Sequence, residues 1–426
     1  MNNQNRIFHL LKRRRFAPYF ATQFLGAFND NVFKNALILL IAFELASGEA
    51  GHILVNAAAG LFVLPFFLFS SAAGQLADKY EKGLLIRRIK LAEVLIMGLG
   101  ALALFSGSVT ALLTVLFLMG TQSSFFGPVK YGLLPQHLDE HELMAGNGLV
   151  EMGTFLAILL GTLAGGVLFA WGGVGWVAIT VVACALIGLL LAQGIPRAAP
   201  VAPELRLAWN PIRESGNCLR YAAEQRLVRV AMLGISWFWF LGSLYLAQLP
   251  NYTRLHLAGD ERMVTGLLAV FALGIGLGSI LAARLARGRV EPGLMPLGAM
   301  GLTLAGLDLW LGTPAEAALT LRTVLDLALI GVFGGLFVVP LYALVQQRGR
   351  REVLSRIIAA INIQNALFMV SAAILAGLLL GVAGLSIPQL FLLAAIANAL
   401  VLLALCRLEP AFWTQCRRWV RELRAA

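Results

Sequence analysis

The stretch from Ile53 to Ala77 reads ILVNAAAGLFVLPFFLFSSAAGQLA, 25 residues without a charge, and it stops on Asp78-Lys79-Tyr80-Glu81-Lys82. A run of that length fits the roughly 20 residues a helix needs to cross a hydrocarbon core about 30 Å thick. It lacks the period-two alternation of a barrel strand. Backbone N–H and C=O groups cannot face lipid unpaired, so the run reads as a membrane helix. The basic residues that follow mark the turn at its end.

The same pattern recurs along the chain. Twelve apolar segments are predicted near 17–46, 53–77, 88–106, 109–135, 143–170, 174–194, 227–252, 262–285, 293–312, 316–346, 355–381 and 386–407. Composition agrees: of 426 residues 59% are hydrophobic and 13% charged, with a mean hydropathy of +0.81. A soluble chain carries about 25% charged residues. The expected class is an all-α membrane protein of twelve transmembrane helices in two six-helix halves. Residues 1–194 form the first bundle, 195–226 a cytoplasmic linker marked by Pro196, Pro200, Pro203 and Pro211, and 227–426 the second bundle with a basic tail.

A net charge of +11 raises the question of nucleic acid, but location decides it. Twenty-nine of the 33 Lys and Arg residues fall on one side of this topology, Lys90 and Lys130 counted among them. Arg254 and Arg262 occupy turns on the other side, while Lys34 and Arg322 lie inside helices. Such asymmetry is the positive-inside pattern and places both termini in the cytoplasm, with no nucleic-acid partner. The basic run Lys12-Arg13-Arg14-Arg15 precedes a first apolar segment too long and too polar for a signal peptide. Cys184, Cys218, Cys406 and Cys416 form no CxxC pair, and no disulfide is expected.

Segment one carries the sharpest chemistry: Gln23, then Phe28-Asn29-Asp30-Asn31, then Lys34 and Asn35. A charge at mid-membrane costs roughly 2.5–3.5 kcal/mol on insertion scales, so such residues face a cavity or a partner. Asp30 and Lys34 stand i,i+4, which also permits a self-neutralising pair. Lys130 at the end of segment four is either a snorkelling cytoplasmic anchor or a cavity cation. Asn147 and Glu151 share one face of segment five, and Asn362, Gln364 and Asn365 make a polar patch on segment eleven. Glu93 is read as a partner for a cytoplasmic arginine, and Arg322, Asp326 and Asp308 as structural or outer-gate ion pairs. The rings of Phe62, Phe66, Phe67 and Phe69 face lipid or core, or an acyl chain if segment two borders a lateral opening.

Two motif matches are discounted. His137-Leu138-Asp139-Glu140-His141 has the HxxEH form of a zinc protease but sits in a short turn. Gly274-Ile275-Gly276-Leu277-Gly278 imitates a nucleotide loop inside a membrane segment, where glycines signal close helix packing. No loop is long enough to hold a soluble catalytic site, so neither an enzyme nor a cofactor is expected.

Gly74-Gln75-Leu76-Ala77-Asp78-Lys79 and its basic followers resemble the loop signature of the major facilitator superfamily, which makes Gly74 and Asp78 candidate cytoplasmic-gate residues. Two echoes fit that superfamily's internal repeat. Phe126-Gly127-Pro128-Val129-Lys130-Tyr131 ends segment four as Val338-Val339-Pro340-Leu341-Tyr342 ends segment ten, and Asn147 in segment five is matched by Asn362 in segment eleven. The stretches around Asp30, Asp78, Gly127–Leu134, Ala145–Glu151 and Leu159–Gly166 together resemble the bacterial lysophospholipid transporter family. The likeness covers most of the first half; in the second only the superfamily plan is legible.

That resemblance implies a flippase moving lysophospholipids such as lysophosphatidylethanolamine across the inner membrane. A cytoplasmic acyltransferase and acyl-carrier-protein synthetase would then re-acylate them. Many relatives carry those enzymes fused; here the chain stops at Ala426, and the partner is expected to act in trans. A lysolipid headgroup offers a phosphate, a hydroxyl and often an ammonium. Asp30 suits the ammonium, Lys34 or Lys130 the phosphate, and Asn31, Asn147 and Glu151 the remaining donors and acceptors. The alternative is a proton-coupled small-molecule or drug exporter of the same fold, working through Asp30 or Glu151.

Overall fold

The computed structural model describes residues 7–41, 49–313 and 317–424. Arg6, the last residues (42–46) of the first expected segment and residue 316 at the start of the tenth lie outside the described residues. Among those described, every regular element is a helix. The first half holds α1 (Ala17–Leu40), α2 (Glu49–Lys79), α3 (Lys82–Ser106), α4 (Val109–His137) and α5 (Leu143–Ala192), followed by α6 (Pro211–Glu224). The second holds α7 (Arg226–His256), α8 (Glu261–Leu285), α9 (Leu294–Leu311), α10 (Leu321–Arg348), α11 (Leu354–Gly377), α12 (Ile387–Leu408) and α13 (Ala411–Arg424).

Ten of these helices are long and apolar enough to cross a membrane by length and composition. Two further spans complete the twelve. At 50 residues, α5 would extend about 75 Å at 1.5 Å per residue, more than two bilayer cores. Gly173 divides it, with φ 59° and ψ −158°, a conformation that favours a residue without Cβ. The other is α1, whose 24 residues suffice in length although Gln23, Asn29, Asp30, Asn31, Lys34 and Asn35 lower its hydropathy. Local signals set the ends. The Glu81 carboxylate accepts from the Gly83 and Leu84 N–H groups to start α3, left-handed Gly107 ends it, and Asp260 and Ser386 cap α8 and α12.

Within the first half α1 packs on α5, α2 on α4, and α3 on both α4 and α5; in the second, α10 packs on α8 and α9, and α7 and α11 pair. The halves meet along two seams, α2 against α11 and α5 against α8. Both are glycine contacts. A Cβ on Gly74 would stand 2.8 Å from Ala359 Cβ, and one on Gly148 2.7 Å from the Ser279 carbonyl oxygen. Gly274 and Gly278 likewise press against the backbone of α10, so the glycine string in α8 is a packing surface.

The segment between the halves is stitched to the end of α2. Gln75 exchanges two hydrogen bonds with the Ala208 backbone at 2.9 and 3.0 Å, and Lys79 donates to the Leu205 carbonyl at 2.8 Å. The amphipathic α6 lies against α2, α7 and α11.

Candidate functional site

A chamber of about 410 Å³ lies between the halves. From α1 it takes Thr22, Gln23, Gly26, Ala27, Asp30, Asn31 and Lys34, an i, i+3, i+4 set that shares one helix face. Facing them, α4 runs antiparallel and contributes Gln122, Ser123, Phe126, Gly127, Lys130 and Tyr131. The second half adds Trp239, Tyr342, Asn362, Asn365 and Met369.

The Asp30 carboxylate accepts from Ser123 Oγ at 2.9 Å. It does not pair with Lys34, whose Nζ instead stands 4.4 Å from the centre of the Phe62 ring. The self-neutralising pair permitted by their spacing is therefore not formed. Lys130 is no surface anchor: its Nζ donates to Thr154 Oγ1 at 3.0 Å and lies 5.0 Å from the Tyr131 ring centre. Among the described residues neither lysine forms an ion pair, so the chamber holds two cations without carboxylate partners. Asn31 donates to the Ala27 carbonyl, which leaves its amide oxygen open to the chamber. Thr22 Oγ1, Gln23 Nε2 and Asn362 Nδ2 are buried without partners among the described residues.

Two expectations about charge need correction. Glu93 does not meet a cytoplasmic arginine, and Lys90 is not in a cytoplasmic turn. They pair one turn apart on α3 at 2.5 Å, 3% and 1% exposed, at the chamber wall behind Gly26. Asn29 at 3.5 Å and Gln122 at 2.9 Å also donate to Glu93. A mid-helix Glu three residues from a Lys was the signal available. Arg322 pairs with Asp308 of α9, at 2.5 and 3.1 Å, rather than with Asp326 on its own helix.

Asn147 and Glu151 do not line the chamber. They lie beneath its floor, fully buried in the seam between the halves. Asn147 and Gln346 exchange amide hydrogen bonds at 2.6 and 3.1 Å, and Tyr131 Oη donates to Glu151 at 2.5 Å. Tyr131 stacks on Tyr342 to close the floor, with ring centres 4.4 Å apart. Asn362 and Asn365 reach the chamber, but Gln364 does not. Phe62 and Phe66 line it, whereas Phe69 packs on Phe117 and Phe125.

Below this floor, Asp78 accepts from the Ser355 N–H and from Arg356 Nε, both at 3.0 Å. Gln347 donates to Glu140, and Arg350 meets Glu224 at 2.7 Å. All these bonds sit at the end of the bundle that carries the chain termini. Among the described residues, no side-chain hydrogen bond or ion pair joins the halves at the opposite end. In the HxxEH string, His137 Nδ1 lies 3.1 Å from the Arg15 carbonyl, while the exposed His141 stands with Asp139 and Glu142 and without His137.

A helical bundle of two halves, sealed at one end below a polar chamber, is the architecture of a membrane transporter. The family model described as Major Facilitator Superfamily matches residues 19–373. The human organic anion transporter MFSD10 (TETRAN) superposes with a TM-score of 0.79 at 15% identity, covering 92% of this chain and 99% of that one. Lysophospholipid transporter LplT of Serratia proteamaculans (strain 568) is 32% identical over 358 residues, 81% of this chain and 82% of the relative. The protein of the same name from Yersinia pestis (strain Pestoides F) is 30% identical over 354 residues, 80% and 81% of the two chains. The chain belongs to the LplT-like family of the major facilitator superfamily.

Proposed function

We propose that this protein is a lysophospholipid flippase of the bacterial inner membrane, working by alternating access. The observation that carries this reading is the pair of unpaired chamber cations, Lys34 and Lys130, on either side of Asp30 along α1 and α4. A phosphate needs cations and an ammonium needs a carboxylate; the chamber offers both within one wall. Asn31 supplies an acceptor, and the orphaned donors of Gln23 and Asn362 suit glycerol and phosphate oxygens. Phe62, Phe66, Trp239 and Met369 give an apolar flank to the acyl chain. Asn147 and Glu151 act through the floor rather than on the headgroup.

The basic end is cytoplasmic by the positive-inside rule, so this conformation faces outward. Residues 1–194 and 227–426 rock as two bodies with 195–226 as tether, and Gly74 and Asp78 form the gate that must part. The delivered lysolipid, lysophosphatidylethanolamine among others, passes to an acyltransferase and acyl-carrier-protein synthetase for re-acylation. In spheroplasts supplied with labelled lysolipid, Asp30→Ala and Lys130→Ala abolish uptake at unchanged protein level. Wild-type uptake by both variants would overturn the site.

The competing exporter reading rests on Asp30, a chamber carboxylate that no cation pairs among the described residues. Collapsing the proton gradient separates the two: an antiporter stops, while a downhill flippase continues.

A further inference from the structure

Outside the chamber, two hollows meet on the α5–α8 seam. One, about 450 Å³, is an apolar groove lined by Met152 and Leu156 of α5 and by Leu273, Leu277 and Ile280 of α8. The other, about 430 Å³, lies toward the termini and holds Arg13, His141, Arg284 and Arg287. Arg284 lines both, so the apolar groove and the basic hollow adjoin at its side chain.

The second hollow is predominantly basic. Among the described residues its lining holds one carboxylate, Glu142, which Arg15 engages at 2.6 Å. Arg13 Nε is engaged by His9 at 3.2 Å, which leaves the rest of its guanidinium exposed. Among the described residues Arg13, Arg284 and Arg287 form no ion pair, and all three are exposed. Leu277 is 67% exposed and Leu273 50%, so the groove faces the lipid rather than the protein core. An apolar slot ending in a cluster of arginines matches one kind of molecule, a lipid with an anionic headgroup.

We propose that this seam binds one anionic phospholipid, its phosphate between Arg284, Arg287 and Arg13 and an acyl chain in the α5–α8 groove. Arg13 and His141 come from the first half, Arg284 and Arg287 from the second, so the bound headgroup bridges the two. It therefore fastens the seam in its closed form. The inference is independent of what the chamber carries.

Native mass spectrometry of the purified full chain tests it, with phosphatidylglycerol and phosphatidylcholine of identical acyl chains as probes. One phosphatidylglycerol is retained in preference to phosphatidylcholine, and each of Arg284→Ala and Arg287→Ala weakens retention about fivefold. The charge-keeping Arg284→Lys/Arg287→Lys variant retains the lipid and confirms that the arginine variants are read on folded protein. Leu277→Trp fills the groove and weakens retention with every charge in place. Phosphatidylglycerol raises the melting temperature of the wild type but not of the double alanine variant. Equal retention of the two lipids, or unchanged retention in the double alanine variant, overturns the proposal. So does displacement by inorganic phosphate alone, which would make the hollow a plain anion site. Displacement by equimolar lysophosphatidylethanolamine would make the groove a substrate path and overturn it as well.

Discussion

Tyr131 of α4 and Tyr342 of α10 stack across the two halves with ring centres 4.4 Å apart and planes within 3° of parallel. Each ring is tied to its own half. Tyr131 Oη donates to Glu151, and Tyr342 Oη accepts from Trp239 Nε1 at 3.2 Å. The stack is the chamber floor and part of the closed seam, so opening toward the termini must separate it. An aromatic pair contributes about 0.5–1.5 kcal/mol beyond its buried area. Tyr342→Leu should therefore shift the closed-to-open ratio roughly two- to tenfold toward open, a shift readable from spin-label distances across the α5–α8 seam. An unchanged distribution would mean that the stack does not hold the floor.

The Asp78–Arg356 pair should weigh more. Arg356 is largely buried, and the Tyr221 ring lies 4.9 Å from its guanidinium carbon. Removing one partner of a buried pair leaves an uncompensated charge at a cost of about 3–5 kcal/mol. With Arg356 still 10% exposed on its side chain, the lower end applies. Asp78→Asn is expected to depopulate the closed conformation and cut lysolipid uptake more than tenfold, with normal amounts in the membrane. Asp78→Glu, which keeps the charge, should recover part of the rate.

Lys90 and Glu93 form a second buried pair, and they test stability apart from gating. Glu93→Gln strands the Lys90 ammonium between α1, α3 and α5 and should destabilise the protein by about 3–5 kcal/mol. Replacing both by Lys90→Met with Glu93→Leu should restore most of the melting temperature, because apolar pairs of similar volume substitute well for buried ion pairs. If the single variant melts like the wild type, the pair is not structural.

Cys218 on α6 offers a chemical reporter of the α2–α11 seam. It is 1% exposed, and burial pushes its thiol up to about 12. A raised thiol value means the reactive thiolate is scarce throughout the physiological range, whereas an exposed thiol ionises near pH 8.5. In a chain whose other cysteines are replaced by serine, Cys218 should resist maleimide at pH 8. The Asp78→Asn background, which loosens α11 from α2, should expose and label it. Rapid labelling of the wild type would contradict the closed seam.

Much of the architecture was written in the order of residues. Hydrocarbon cannot hydrogen-bond, so each long uncharged run had to become a helix, and short basic turns set the count and the orientation expected of them. The polar face of α1 was legible for the same reason: Asp30, Asn31 and Lys34 are too costly in lipid to be there idly. Partners were not legible. Spacing on one helix offered Lys34 to Asp30, yet Ser123 on a neighbouring helix took that place, and of the two carboxylates expected around Arg322 it is Asp308 on α9 that pairs with it. Nor could a single strand of sequence tell that Lys130 faces inward while Asn147 and Glu151 sink into the seam. Those outcomes depend on how helices far apart in the chain rotate and approach, which glycines such as Gly74 and Gly148 permit. The sequence alone determined that this is a twelve-helix membrane protein with costly charges in its first helix. Only packing decided which charges face the chamber, which close its floor, and which are left free at the seam, because burial and pairing belong to the assembled bundle rather than to any one helix.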